Sequence, residues 1–160
     1  MKNATLCFIL RDQSPREILL GVKKRGFGTG KLNGFGGKIE RGESLIEAAI
    51  REVEEETTLI LTADALRPGG TVTFLFPFEP TFDHHVHLFT TTQWLGRPQE
   101  TAEMAPSWFP IDRIPYNRMW ADDSHWLPRV LSGGKIEAMF TFGEDNESLT
   151  AWKIREMVSS

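Results

Sequence analysis

Six of the twelve residues from Gly26 to Gly37 are glycine, and an acidic, amphipathic stretch follows at once. A backbone so bare of side chains packs no core of its own and is suited to lying close against a strand or a ligand. The stretch behind it has one good conformation. Projected at about 100° per residue, Leu45, Ile46, Ala49, Ile50 and Val53 share an arc of roughly 140°, the stripe of a helix lying on a core. That helix is expected from Ser44 to Thr57, with Glu43 near its start. Glu47, Arg51 and Glu54 fall on the far side and read as solvent residues. Glu52 and Glu56 stand at the edge of the apolar arc, with Glu55 roughly 60° to 80° beyond them.

Three carboxylates at i, i+3 and i+4 repel, and desolvation at a core boundary sharpens the conflict. A hard divalent cation removes it, because magnesium or manganese prefers oxygen ligands of this kind. Such an ion bridges phosphate oxygens and acidifies a bound water, leaving a neighbouring carboxylate to take the proton. The plain alternative is a solvated acidic helix face. Glutamates at an apolar edge directly after a glycine-rich loop favour the metal. Glu56 and then Glu52 are the first candidates for ligand or base, and the sequence does not divide those roles.

The rest of the chain supplies strands. Residues 4–10 and 17–23 read as two, joined by a polar turn, and 71–78 alternates with Val72, Phe74, Phe76 and Phe78 on one face. Further strands are expected at 84–92 and, briefly, at 107–109, with a short helical turn from about Asp112 closed by Pro115. A second helix runs from Asp122 or Asp123 to about Leu131 and stops at Gly133-Gly134, and 135–142 with 149–157 forms a hairpin. The fold class is α/β (α+β): a mixed sheet flanked by helices, in one domain spanning 1–160. A net charge of -4 argues against a nucleic-acid polymer as partner but leaves a small anion open, since a bound cation offsets the repulsion. The lone cysteine, Cys7, excludes an internal disulfide and lies in an apolar run, where an inert thiol is expected. With no apolar stretch long enough for a membrane span and no secretory leader, the cytoplasm is the expected location.

Gly37, Glu43, Arg51-Glu52-Val53, Glu55-Glu56 and Leu59 stand at the spacing of the Nudix hydrolase signature, which this chain therefore resembles. One position departs. The signature's last glycine is Thr58, where a left-handed helix ending costs a β-branched residue about 1 kcal/mol or more. Lys23-Lys24-Arg25-Gly26-Phe27-Gly28, the segment 32–38 and Met119-Trp120-Ala121-Asp122-Asp123-Ser124 further resemble the oxidised purine nucleoside triphosphatases, the animal MutT homologues. The resemblance implies a monomeric Nudix α/β/α sandwich that cleaves nucleotides such as 8-oxo-dGTP or 2-hydroxy-dATP to a monophosphate and pyrophosphate. It implies Mg2+, with Mn2+ as a substitute, held by Glu52, Glu55, Glu56 and Glu103 with a backbone carbonyl of Gly36 or Gly37. It also places Lys23 near the phosphates, and Thr5, Leu6, Phe74 and Phe76 along the base pocket.

Chemistry gives separate reasons for the base readers. An Asn33 side chain carries an acceptor and two donors, enough to meet a purine edge bidentately. Two adjacent aspartates in a pocket do not both ionise cheaply, so one of Asp122 and Asp123 holds a proton and donates while the other accepts. Either residue serves equally as a helix cap. Trp120 and Phe27 are candidates to sandwich a base between them. His84, His85, His87 and His125 receive no ligand role, since His85 and His87 alternate on a strand without a third partner. Gly30-Lys31 is followed by Leu32, so a P-loop fails, and no G-x-G-x-x-G spacing occurs. Two other readings remain: a Nudix hydrolase acting on a different nucleoside diphosphate derivative, and a nucleotide-binding module without catalysis.

Overall fold

A computed structural model describes residues 1–157, so the last three positions of the expected 1–160 domain lie outside the described residues. The central strand, β1 (Lys2–Arg11), sends Cys7 and Ile9 into one apolar cluster and Phe8 and Leu10 into another. Successive side chains of a strand point to opposite faces, and all four are buried because both faces are covered. β1 pairs antiparallel with β2 (Glu17–Lys23) near Ile9–Arg11 and parallel with β5 (His84–Thr91) along Lys2–Ile9.

The other strands are β3 (Leu32–Asn33), β4 (Arg67–Leu75), β6 (Met104–Pro110), β7 (Lys135–Phe142) and β8 (Leu149–Met157). They order as β3-β2-β1-β5-β4-β7-β8, with β6 antiparallel to β2. The sheet is mixed: β1 with β5 and β4 with β7 are parallel, and the remaining pairs antiparallel. Helix α1 (Leu45–Thr57) packs on the face of Cys7 and Ile9; α2 (Asp123–Leu131) packs its Trp126, Leu127 and Val130 on the face of Phe8 and Leu10. This is the expected α/β arrangement of helix, sheet and helix. Burial pushes the Cys7 thiol up to about 12, consistent with an inert core residue. No helix among the described residues is long and apolar enough to cross a membrane.

Several boundaries move for physical reasons. Ser44 opens α1 as a capping box: its hydroxyl accepts from the Glu47 N–H, and the Glu47 carboxylate accepts from the Ser44 N–H. Leu45 is 36 % exposed in the first turn rather than buried, and Ala48 joins Ala49 and Val53 against the sheet. At the other end Thr58 does take the left-handed conformation, φ 69° and ψ 0°, with its N–H donating to the Glu54 carbonyl. Its hydroxyl donates to the Arg97 carbonyl at 3.2 Å. β4 lies earlier in the chain than 71–78: the backbone turns at Phe76, whose N–H donates to Asp83, and Phe78 is 61 % exposed. β6 is longer than 107–109: Pro106 and Pro110, which lack a backbone N–H, sit within a strand that pairs on one side with β2.

Candidate active site

The glycine-dense segment lies across β1. Phe35 and Cys7 exchange two backbone hydrogen bonds of 2.9 and 2.7 Å, and the Gly37 carbonyl accepts from the Thr5 N–H at 2.9 Å. A Cβ on Gly36 would stand 1.8 Å from the Thr5 carbonyl oxygen, so this glycine is demanded by contact. A Cβ on Gly37 would stand 2.7 Å from the Glu52 carboxyl carbon. Of the two glycine carbonyls expected to offer an oxygen, that of Gly37 is therefore engaged, whereas that of Gly36 accepts no hydrogen bond among the described residues.

Glu56, 4 % exposed, accepts from the Gly36 N–H at 2.8 Å. Burial pushes its pKa up to about 8, against the pull of that N–H and with help from the nearby charge of Glu52. Burial also raises Glu52, opposed by Arg51. Arg51 is not the plain solvent residue its place on the helix suggests. Its Nε and Nη2 donate to both Glu43 oxygens at 2.6 and 2.9 Å, its Nη1 to Glu52 at 2.8 Å, and Nη2 also to the Lys38 carbonyl. The Arg51 guanidinium holds the Glu43 carboxyl down at about 2. Glu103 pairs with Arg25 at 2.6 Å, and Glu55 is exposed. Among the described residues no three acidic, His or Cys side chains converge tightly enough to hold an ion. The acids stand as neighbours along this edge: Arg51 binds Glu43, Glu52 and Glu55, Arg25 binds Glu103, and Glu56 is bonded by the Gly36 N–H rather than by an arginine.

Beside them opens a cleft of about 360 Å³. β1 contributes Thr5 and Leu6, the end of β2 Lys23, and β3 Asn33; Phe74 and Phe76 come from β4 and the residue after it. Phe27 reaches in from the glycine loop, and Trp120, Asp122 and Asp123 from the turn into α2. Gly36, Gly37 and Glu56 join the cleft to the acidic helix, while Glu52, Glu55 and Glu103 stand off its wall.

Asp122 occupies the N-cap position of α2 without capping it. Its Oδ2 instead accepts from the Trp126 indole N–H at 2.7 Å. Asp122 and Asp123 are 1 % and 3 % exposed, and Asp122 Oδ1 and Asp123 Oδ2 have no partner among the described residues. Burial raises both pKa values, and the charge of Asp122 drives Asp123 well above the usual carboxylate range. Two buried carboxyls in contact thus keep at least one proton between them near neutrality. The Asn33 carbonyl oxygen already accepts from the Gly34 N–H at 2.9 Å, so its amide protons are the freer half of the side chain. Phe27 and Trp120 do not form an open sandwich. Their rings stack on each other at 5.0 Å and 25°, whereas a base between them needs roughly 7 Å, two aromatic contact distances.

The profile of the NUDIX domain matches residues 1–130. The chain belongs to the Nudix family. This Nudix chain is 40 % identical over 155 residues to the oxidized purine nucleoside triphosphate hydrolase of Mus musculus, covering 97 % of this chain and 95 % of that one. It is 46 % identical over 128 residues to the protein of the same name from Danio rerio, covering 80 % of each. Among solved structures it resembles a MutT protein from Bacillus halodurans, with a TM-score of 0.80 at 22 % identity over 96 % of this chain and 97 % of that one, a likeness of fold.

The Nudix cleft also holds residues that sequence reading missed, among them Lys2, Phe82, His84 and Phe142. For His84 a signal existed, since it stands two and four residues before the buried, inward-facing Val86 and Leu88. For Lys2 none did, because its place comes from the register that sets it beside His84. The other histidines lie elsewhere: His85 bonds Thr73, His87 reaches toward Asn3, and His125 packs on Trp152.

Proposed function

We propose that the chain hydrolyses oxidised purine nucleoside triphosphates, 8-oxo-dGTP and 2-hydroxy-dATP among them, to a monophosphate and pyrophosphate, as a cytoplasmic monomer of one domain that clears the nucleotide pool. The observation that carries this reading is the pair of buried aspartates, each with an oxygen left unbonded in an aromatic-walled cleft. A purine whose edge is altered by oxidation changes its donors and acceptors, and a proton shared by two carboxyls is able to match either pattern. The two animal relatives that share most of the chain carry the name of that activity.

The acidic helix edge suits a divalent cation, Mg2+ or in its place Mn2+. Glu52, Glu55, Glu56 and Glu103 are hard oxygen donors, the Gly36 carbonyl is free, and the missing side chain of Gly37 leaves room against Glu52. Arg25 and Arg51 already supply there the positive charge that such acids require. When bound, the cation neutralises the polyphosphate and lowers the pKa of water. Glu56 is the first candidate to accept the proton of the attacking water and Glu52 the second, since burial already holds the proton affinity of Glu56 near neutrality. Lys23, at the end of β2 on the cleft wall, meets the phosphates. Asn33, Asp122 and Asp123 read the base; Thr5, Leu6, Phe74 and Phe76 wall it; Trp120 stacks on it once Phe27 moves aside.

The test is steady-state pyrophosphate release with Mg2+ from oxidised, methylated and unmodified purine triphosphates, with a dinucleoside polyphosphate and a cap-like nucleotide alongside. The expected result is a kcat/KM for oxidised purines at least about tenfold above the unmodified ones. Preference for the dinucleoside or cap-like compound, or no release at all, refutes the proposal.

A further inference from the structure

His84 is the first residue of β5, and its ring lies in the cleft wall, 4.9 Å from Phe74 at 27° and 6.3 Å from Phe76 at 9°. Its Nδ1 stands 2.6 Å from the Phe82 carbonyl oxygen. A carbonyl only accepts, so Nδ1 carries the proton and donates. That carbonyl is itself held in place. Lys2 Nζ donates to the Thr81 carbonyl at 2.8 Å, tying the turn to β1, and the Phe82 N–H donates to Glu79. Burial lowers the imidazole pKa, opposed by the bond to Phe82 and assisted by the charges of Lys2 and Lys23, with Asp83 pulling the other way. The neutral ring therefore presents a bare lone pair at Nε2, which makes no hydrogen bond among the described residues.

The setting of that lone pair is specific. The ring is fixed by one nitrogen, flanked by phenyl faces, and lies on the same cleft as the aspartate pair. Lys2 and Lys23 on this wall are donors only. A phenylalanine would pack as well against Phe74 and Phe76 but would offer no acceptor. We propose that His84 is a specificity-determining residue whose Nε2 accepts a hydrogen bond from the exocyclic amine or a sugar hydroxyl of the bound nucleoside. This rests on the purine nucleotide reading above and adds a contact to it. The donor is either an exocyclic amine of the base or a sugar hydroxyl, two sources of one chemistry.

Calorimetric titration with nucleoside monophosphates, without any cation, tests this independently of turnover. The ligands are 8-oxo-dGMP, 8-oxo-dIMP, which lacks the 2-amino group, and the 3′-deoxy analogue of 8-oxo-dGMP. The proteins are the natural chain, His84→Phe and His84→Gln, each checked for folding by thermal denaturation. In the natural chain one of the two analogues should bind about tenfold more weakly than 8-oxo-dGMP, which identifies the donor. His84→Phe should lose the same factor on 8-oxo-dGMP and nothing further on that analogue, while His84→Gln, which retains an acceptor, should recover most of the loss. Equal losses on all three ligands, or none, would overturn the role of His84 while leaving the nucleotide reading intact. Natural protein that binds none of the three overturns both. Should His84→Phe not fold, the analogue series on the natural protein and His84→Gln still decides, since full affinity for both analogues refutes the hydrogen bond.

Discussion

Replacing Glu56 by Gln should flatten the pH dependence of stability in cation-free protein. Burial moves the Glu56 pKa from its ordinary 4.5 to about 8 in the native state. Between those values the folded chain keeps a proton that the unfolded chain has released. Stability from this group is thus complete below the unfolded pKa and drains away as pH climbs through the folded one. Each pH unit in mid-window removes up to about 1.4 kcal/mol and less at its two ends, so raising pH from 5 to 8 removes about 3 to 4 kcal/mol, roughly 10 °C in Tm for a chain of this size. Glutamine keeps an oxygen for the Gly36 N–H, which bonds Glu56 at 2.8 Å, and carries no charge to desolvate. Glu52, Asp122 and Asp123 are shifted in the same direction but remain in both proteins, so the difference between the two curves isolates Glu56. The assay is urea and thermal denaturation in a chelator from pH 5 to 8.5. The variant should match the natural chain near pH 5 and exceed it at pH 8. Parallel curves would show that Glu56 ionises as an ordinary surface carboxylate, and the account of a buried acid would fail.

The same substitution should abolish pyrophosphate release in Mg2+ while leaving the circular dichroism spectrum unchanged; near-natural turnover would remove Glu56 from the chemistry. Asp122→Ala and Asp123→Ala should each narrow the ratio of kcat/KM between oxidised and unmodified purine triphosphates, and a uniform loss on all substrates would count against base reading. Gly36→Ala should cost about 3 kcal/mol in urea denaturation, because relieving a Cβ 1.8 Å from the Thr5 oxygen parts the three backbone hydrogen bonds to β1, each worth about 1 kcal/mol. Thr58→Gly should stabilise by about 0.5 kcal/mol: relief of a left-handed β-branched residue outweighs the looser unfolded chain and the lost bond to Arg97. A clear loss of Tm would show that the Arg97 contact governs that turn.

Elements that depend on local pattern were legible in the chain. α1 announces itself through its apolar stripe and Ser44, and the hairpin of β7 and β8 through alternation around a glycine turn. β6 was mostly hidden, because its prolines look like breakers until β2 is there to pair with one edge. In the site, the residues of contiguous motifs were readable and now line or adjoin one cleft. What the motifs concealed was partnership across the fold. Nothing near Arg51 in sequence says that it grips Glu43 eight residues earlier, or that Glu103 meets Arg25. Nor does spacing reveal that Trp126 would claim an oxygen of Asp122, which leaves the alternative reading of that residue as a helix cap unfilled.

The Phe27 ring resting on Trp120 bears on the thermodynamics of ligand capture. A purine that takes this place on the indole exchanges one aromatic contact for another instead of drying an open surface. Much of the indole face is already shielded before the ligand arrives, so less new apolar area leaves solvent than the final complex would suggest. The heat-capacity decrement of binding should be correspondingly small. Selectivity among purines must then come from the polar edge of the pocket, since the ring exchange treats every flat base alike.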